Sequence, residues 1–121
     1  MKERTLTVTS DTTEACTVND TVAILGKLYA IQWVVGTSAN TTDLVISTQG
    51  GYAAKTVLTV SPSTSALYYP RDLVHDAAGT ALTGTSGGDR CLPLLDGTLR
   101  VVSAQQGEDK TGQVCVYYLD D

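Results

Sequence analysis

The chain has 121 residues and a formal charge of −5, a length that suits one domain able to bury roughly two-thirds of its unfolded surface without disulfide or metal staples. An acidic surplus supplies no counterion release to hold a phosphate backbone, which argues against DNA or RNA as a partner. The longest apolar run, 22–35, is interrupted by Gly26, Lys27 and Gln32 and is too short to cross a bilayer, so no membrane role is expected.

Phenylalanine is absent, so the core must come from Val, Leu, Ile, Ala, Tyr and Trp33. Heavy use of threonine favours strands over long helices, because β-branched side chains lose rotamer freedom in a helix. The first residues, Met1 to Thr5, lead directly into polar–apolar alternation rather than a hydrophobic leader. No secretion signal is expected, and a reducing cytoplasm is the expected starting compartment. Cys16, Cys91 and Cys115 are odd in number and widely spaced. They match no metal or redox pattern and read as buried or half-buried free thiols, with a single structural disulfide as the alternative.

In chain order, residues 4–9 alternate as a strand with Leu6 and Val8 on one face, leaving Met1 to Arg4 as an N-terminal arm. Residues 10–13 read as a turn and 15–18 as a second short strand, which Asn19-Asp20 then breaks. The segment 21–36 is the strongest strand signal. Leu25, Tyr29, Ile31, Trp33 and Val35 would share one face and Ile24, Leu28, Ala30 and Val34 the other. Apolar residues on both sides imply a central strand covered on both faces, or a face that meets a partner. Gly26 marks a bulge or a bend from one sheet to another.

Residues 43–48 and 55–60 form a hairpin across Gln49-Gly50-Gly51. A further strand runs into Leu67-Tyr68-Tyr69 and must end at Pro70, which lacks the ladder N–H. Arg71 to Asp76 is too short for a helix and reads as a tight turn or one helical turn. Residues 76–90 form a long surface loop. Residues 91–95 form an edge-like strand containing Pro93, and Asp96-Gly97 signals a tight hairpin into 98–104. A polar loop over 105–111 precedes the last strand, 112–119. About eight short strands without a helix point to an all-β fold, an antiparallel β-sandwich or jelly-roll-like barrel, as a single domain over 1–121.

Chemistry is sparse. His75 is the only histidine, and its neighbour Asp76 cannot orient it as a triad acid by adjacency alone. The acidic residues Asp11, Glu14, Asp20, Asp43, Asp76, Asp89, Asp96, Glu108 and Asp109 fall in expected turns, where turn chemistry accounts for them better than a paired-carboxylate mechanism. Gly84 to Arg90 lacks the lysine and the strand-to-helix context of a phosphate loop, and no EF-hand spacing exists. No catalytic, cofactor-binding or metal-binding residue is expected, no cofactor, and no enzymatic activity. Trp33 and the tyrosines could stack a sugar, although core and interface roles are commoner for such rings.

The run Tyr68-Tyr69-Pro70-Arg71-Asp72-Leu73-Val74-His75-Asp76, with Gly79-Thr80-Ala81-Leu82, Pro93-Leu94, residues 96–101 and residues 112–117, resembles small all-β virion proteins of tailed bacteriophages. The resemblance implies a capsid decoration or cement protein that binds the major capsid protein on the outer shell, as a dimer or trimer. It implies a location on the virion after a stay in the host cytoplasm. A tail or head–tail connector component, or a carbohydrate-binding adhesion module, is the alternative. Under the resemblance, Met1 to Arg4, the loop 76–90 and the strand 22–35 are the candidate shell contacts.

Overall fold

The computed structural model describes residues 1–51, 54–73, 78 and 90–120. Among these residues the chain is all-β, with strands β1 (Lys2–Thr9), β2 (Cys16–Val34), β3 (Asp43–Gly50), β4 (Thr56–Val60), β5 (Ala66–Tyr68), β6 (Asp72–Leu73), β7 (Arg90–Cys91), β8 (Leu94–Ala104) and β9 (Thr111–Leu119). Seven of them form one antiparallel sheet in the order β1-β9-β2-β8-β3-β4, with β5 also on β2, while β6 and β7 pair separately.

β2 organises the sheet. Its N-terminal half pairs with β8 as far as Lys27, and its C-terminal half pairs with β9 from Lys27 onward. The partner exchange falls beside Gly26, where an added Cβ would lie 2.2 Å from the carbonyl oxygen of Leu119. β2 therefore serves two sheet segments, β1-β9-β2-β5 and β2-β8-β3-β4, which fold onto one another. A strand that changes sheets at a corner is how sandwich-like β folds turn. The core between the segments is mostly aliphatic: Leu6 and Val8 from β1, Ile24, Leu28 and Ile31 from β2, Leu44 and Ile46 from β3, Leu95, Leu99 and Val101 from β8, and Val114 and Val116 from β9, joined by Trp33 and Tyr118. Alternation with a period of two puts these side chains inside and their neighbours in solvent.

Four expectations change. Lys2 to Arg4 is not a free arm: β1 starts at Lys2 and pairs in register with Tyr118, Tyr117 and Val116. Asn19-Asp20 does not end a strand but sits in a bulge within β2, between Asn19 and Ala23. The Asp20 carboxylate accepts hydrogen bonds from the N–H groups of Thr21 and Val22 at 2.8 and 3.4 Å, which supplies partners for backbone the ladder leaves out. Asp96-Gly97 is not a hairpin either, because β8 runs straight through it. Gly97 has φ +119°, and a Cβ there would come within 2.2 Å of the Gln49 carbonyl oxygen. The glycine thus admits close approach of β3 rather than a chain reversal. Finally, of the two readings of 22–35, coverage on both faces does not hold: Val22, Leu25 and Tyr29 are 45%, 66% and 40% exposed.

The inward set of β2 also shifts midway. Ile24 and Leu28 point inward, and then Ile31 and Trp33 do. The register slips between Leu28 and Ala30, so Tyr29 is the extra residue of a bulge and the facing parity changes after it. At the loop end of the sheet, Gln106 is fully buried. It accepts a hydrogen bond from Ser103 Oγ at 2.7 Å and donates to Val8 O at 2.9 Å and Ser38 Oγ at 3.0 Å. This amide ties β1, β8 and the loop after β2 together.

Candidate functional site

β5 pairs with β2 as Ile31–Tyr68, Gln32–Leu67 and Trp33–Ala66, and Pro70 follows where the ladder stops. The register leaves Leu67 exposed and tucks Tyr68 against the core. Arg71 then turns back over the β2 bulge. Its Nη1 donates to the carbonyl oxygens of Tyr29 at 3.0 Å and of Pro70 at 2.6 Å. The Arg71 Cζ lies 5.9 Å from the ring centres of both Tyr29 and Tyr69, and these rings meet edge to face at 6.0 Å and 89°. Cation–π and edge contacts of this kind contribute about 0.5–1.5 kcal/mol each. They favour the observed arrangement of the three side chains.

The two rings wall a cleft of about 270 Å³, completed by Met1, Ala30, Gln32, Leu67 and Tyr117. Gln32 Oε1 accepts the Tyr117 hydroxyl at 3.1 Å. Burial, and then the Glu3 carboxylate, raise the Tyr117 phenol above its ordinary value, so the hydroxyl remains a donor at neutral pH. Met1, Leu67, Tyr69 and Tyr29 are 71%, 49%, 54% and 40% exposed. Tyrosine, methionine and arginine are residue types enriched at protein interfaces.

Arg71 to Asp76 forms neither a turn nor a helical turn in its described part. Asp72 and Leu73 pair with Cys91 and Arg90, and Asp72 also forms an ion pair with Lys55. His75, Asp76 and the segment from Gly84 to Asp89 lie outside the described residues, as does most of the loop 76–90. Trp33 is not a stacking platform. It is 1% exposed, and a Cβ on Gly112 would lie 2.2 Å from its Cη2, so the ring occupies space that only glycine leaves open.

The carboxylates with described partners serve structure. Asp11 accepts the N–H of Thr13 at 2.8 Å and its hydroxyl at 2.5 Å, which holds its carboxyl below the usual range. Asp43 accepts Ser61 Oγ at 2.5 Å and Gln105 Nε2 at 3.3 Å. Asp20 takes Arg4. No group of three or more His, Cys, Asp or Glu side chains that could hold a metal ion occurs among the described residues. Cys115 is a buried free thiol and Cys16 a half-buried one, whereas Cys91, on the two-residue strand β7, is exposed, contrary to expectation.

Sequence reasoning included Tyr29 and Gln32 only within the whole strand 22–35 as a candidate contact, and did not single them out or join them to Tyr69 and Arg71. The available signal was the tyrosine itself, an amphipathic ring in an otherwise apolar strand. Comparison with known protein families, curated proteins and solved structures finds no match to this chain.

Proposed function

We propose that this protein is a structural docking protein that decorates the outer shell of a bacteriophage capsid, engaging the major capsid protein through the Tyr29–Tyr69–Arg71 face. The observation that carries the reading is the exposed pair of tyrosines locked by one arginine beside an apolar cleft. Anchors of this type concentrate binding energy in few residues, and their fixed geometry lowers the ordering cost of association. The sandwich-like sheet provides a rigid support, and the acidic charge keeps a protein with exposed apolar side chains dispersed before assembly. The likeness of the 68–76 and 112–117 runs to virion proteins supplies the partner. Repetition over a symmetric shell multiplies contacts that are weak singly.

The test is addition of the purified protein to shells that lack it. Saturable binding at a fixed ratio to the shell protein, lost on Tyr69→Ala together with Arg71→Ala, supports decoration. A few copies per particle would instead place the chain in a tail or connector. The adhesion alternative keeps only the tyrosine cleft as a sugar platform, since Trp33 is in the core, and a glycan array without hits removes it.

A further inference from the structure

The tyrosine cleft is short of acceptors and of negative charge. Arg71 is half-buried, and its Nη1 is taken up by the carbonyl oxygens of Tyr29 and Pro70. Its Nε and Nη2 have no acceptor among the described residues, and none of the described ion pairs includes it. The neighbouring carboxylate, Asp72, faces Lys55 instead. No carboxylate lines the cleft. Gln32 gives its carbonyl oxygen to the Tyr117 hydroxyl, which leaves its NH2 group as a donor without a described acceptor. In a chain with 13 acidic and 8 basic residues, a half-buried cation without a carboxylate is an exception, because partly buried charges are ordinarily paired. Negative charge stands at the opposite end of the cleft. Glu3 shares a face with Tyr117 as its cross-strand partner. β1 and β5 flank the β9–β2 pair on opposite sides, since Gln32 pairs with both Cys115 and Leu67. The cleft is therefore positive at the Arg71 end and negative at the Glu3 end.

We propose that the cleft recognises a carboxylate carried next to an apolar side chain on an extended segment of the partner; resting on the decoration reading, that partner is the shell protein. The carboxylate takes the Nε–Nη2 edge of Arg71, whose planar fork suits two parallel N–H···O bonds. The apolar side chain enters beside Tyr29, Tyr69 and Leu67, and a carbonyl oxygen of the segment accepts from the Gln32 amide. Glu3 repels the carboxylate from the other end, so the segment docks in one direction. At about 270 Å³ the cleft is smaller than the usual small-molecule site of about 300–1,000 Å³. It suits one or two side chains of a protein segment rather than a cofactor.

The experiment titrates N-acetyl-leucinate, whose carboxylate and side chain stand in for those of the segment, into the isotope-labelled full chain. No shell is present, so the result stands apart from decoration. Magnetic resonance signals of Tyr29, Gln32 and Tyr69 should shift and saturate with a Kd of about 1–10 mM, the weak affinity of one side chain and one ion pair. N-acetyl-leucinamide, which lacks the charge, should bind about fivefold or more weakly, and so should the leucinate to Arg71→Gln. Acetate, which lacks the leucine side chain, should not saturate at about ten times the Kd of the leucinate. Glu3→Gln should bind the leucinate at least as tightly as the wild type does. Unchanged amide signals away from the cleft show that both variants are folded. Absence of leucinate binding, or equal binding of leucinate and leucinamide by the wild type, overturns the proposal without recourse to a variant. So does undiminished binding by Arg71→Gln, saturation by acetate alone, or weaker binding by Glu3→Gln. Shell binding that persists beside any of these results would keep decoration and remove the acidic segment.

Discussion

Arg4 on β1 grips Asp20 on β2 with both prongs of its guanidinium, Nε to Oδ2 at 2.8 Å and Nη2 to Oδ1 at 2.5 Å. β1 and the N-terminal half of β2 share no backbone ladder, so this pair links them across the fold. Asp20 keeps little solvent access, with its side chain 7% exposed, and it also holds the two N–H groups of its own bulge.

Asp20→Asn is therefore expected to lower stability by about 1.5–3 kcal/mol, the worth of hydrogen bonds to a charged group. Urea titration at pH 7 measures it.

Acid should act on the same contact. Hydrogen bonding from Arg4 is the main cause that holds the Asp20 carboxyl below its ordinary value. A depressed folded pKa means the stabilisation is complete above the unfolded value, near pH 4, and fades as pH falls through the lower folded value. Asp11 adds to this trend through Thr13. Stability measured from pH 6 to pH 2 should fall on the acid side, and less steeply in Asp20→Asn.

Gly112 and Trp33 give a packing test. Gly112→Ala pushes a methyl into the indole, where the nearest ring atom would be 2.2 Å away, and overpacking of that kind costs about 1–3 kcal/mol. Tryptophan emission should stay blue-shifted and protected from acrylamide in the wild type, and redden in the variant.

Glu14 lies exposed at φ 65° in the loop that meets residues 105–110. A non-glycine residue there costs about 1–2 kcal/mol, which glycine avoids at some entropic expense. Glu14→Gly should therefore raise the thermal midpoint slightly rather than lower it, as calorimetry would show.

The sequence made some of these features readable and hid others for physical reasons. Strands with one buried face write a period of two into the chain, so 4–9, 43–48 and 112–119 were legible within a residue or two. The all-β antiparallel class followed from them. Asn19-Asp20 and Asp96-Gly97 were misread because each is a good local turn signal overruled by distant partners, Arg4 in one case and the backbone of β3 in the other. The parity change at Tyr29 was invisible because a bulge depends on the register against β9. Of the candidate site, the strand end at Pro70 was legible from the missing N–H. The meeting of Tyr69 and Arg71 with Tyr29 was not, since it requires knowing that β5 lies on β2. Gln106 likewise gave no local sign that its amide would be buried.

At the tyrosine face, stability and binding should separate. Tyr69→Ala removes a ring that is 54% exposed, so its effect on unfolding should be about 1 kcal/mol or less. Its effect on shell binding should be much larger, because truncating an anchor typically costs about 2 kcal/mol or more, a loss of about thirtyfold in affinity.

The most direct measurement is co-sedimentation of the wild type and of Tyr69→Ala with Arg71→Ala on shells lacking this protein. The account predicts saturation of the wild type at hundreds of copies per particle, a number that follows from occupying a repeated site on an icosahedral lattice, and loss of binding by a folded double variant. Failure of the wild type to bind, or equal binding by the double variant, would contradict it.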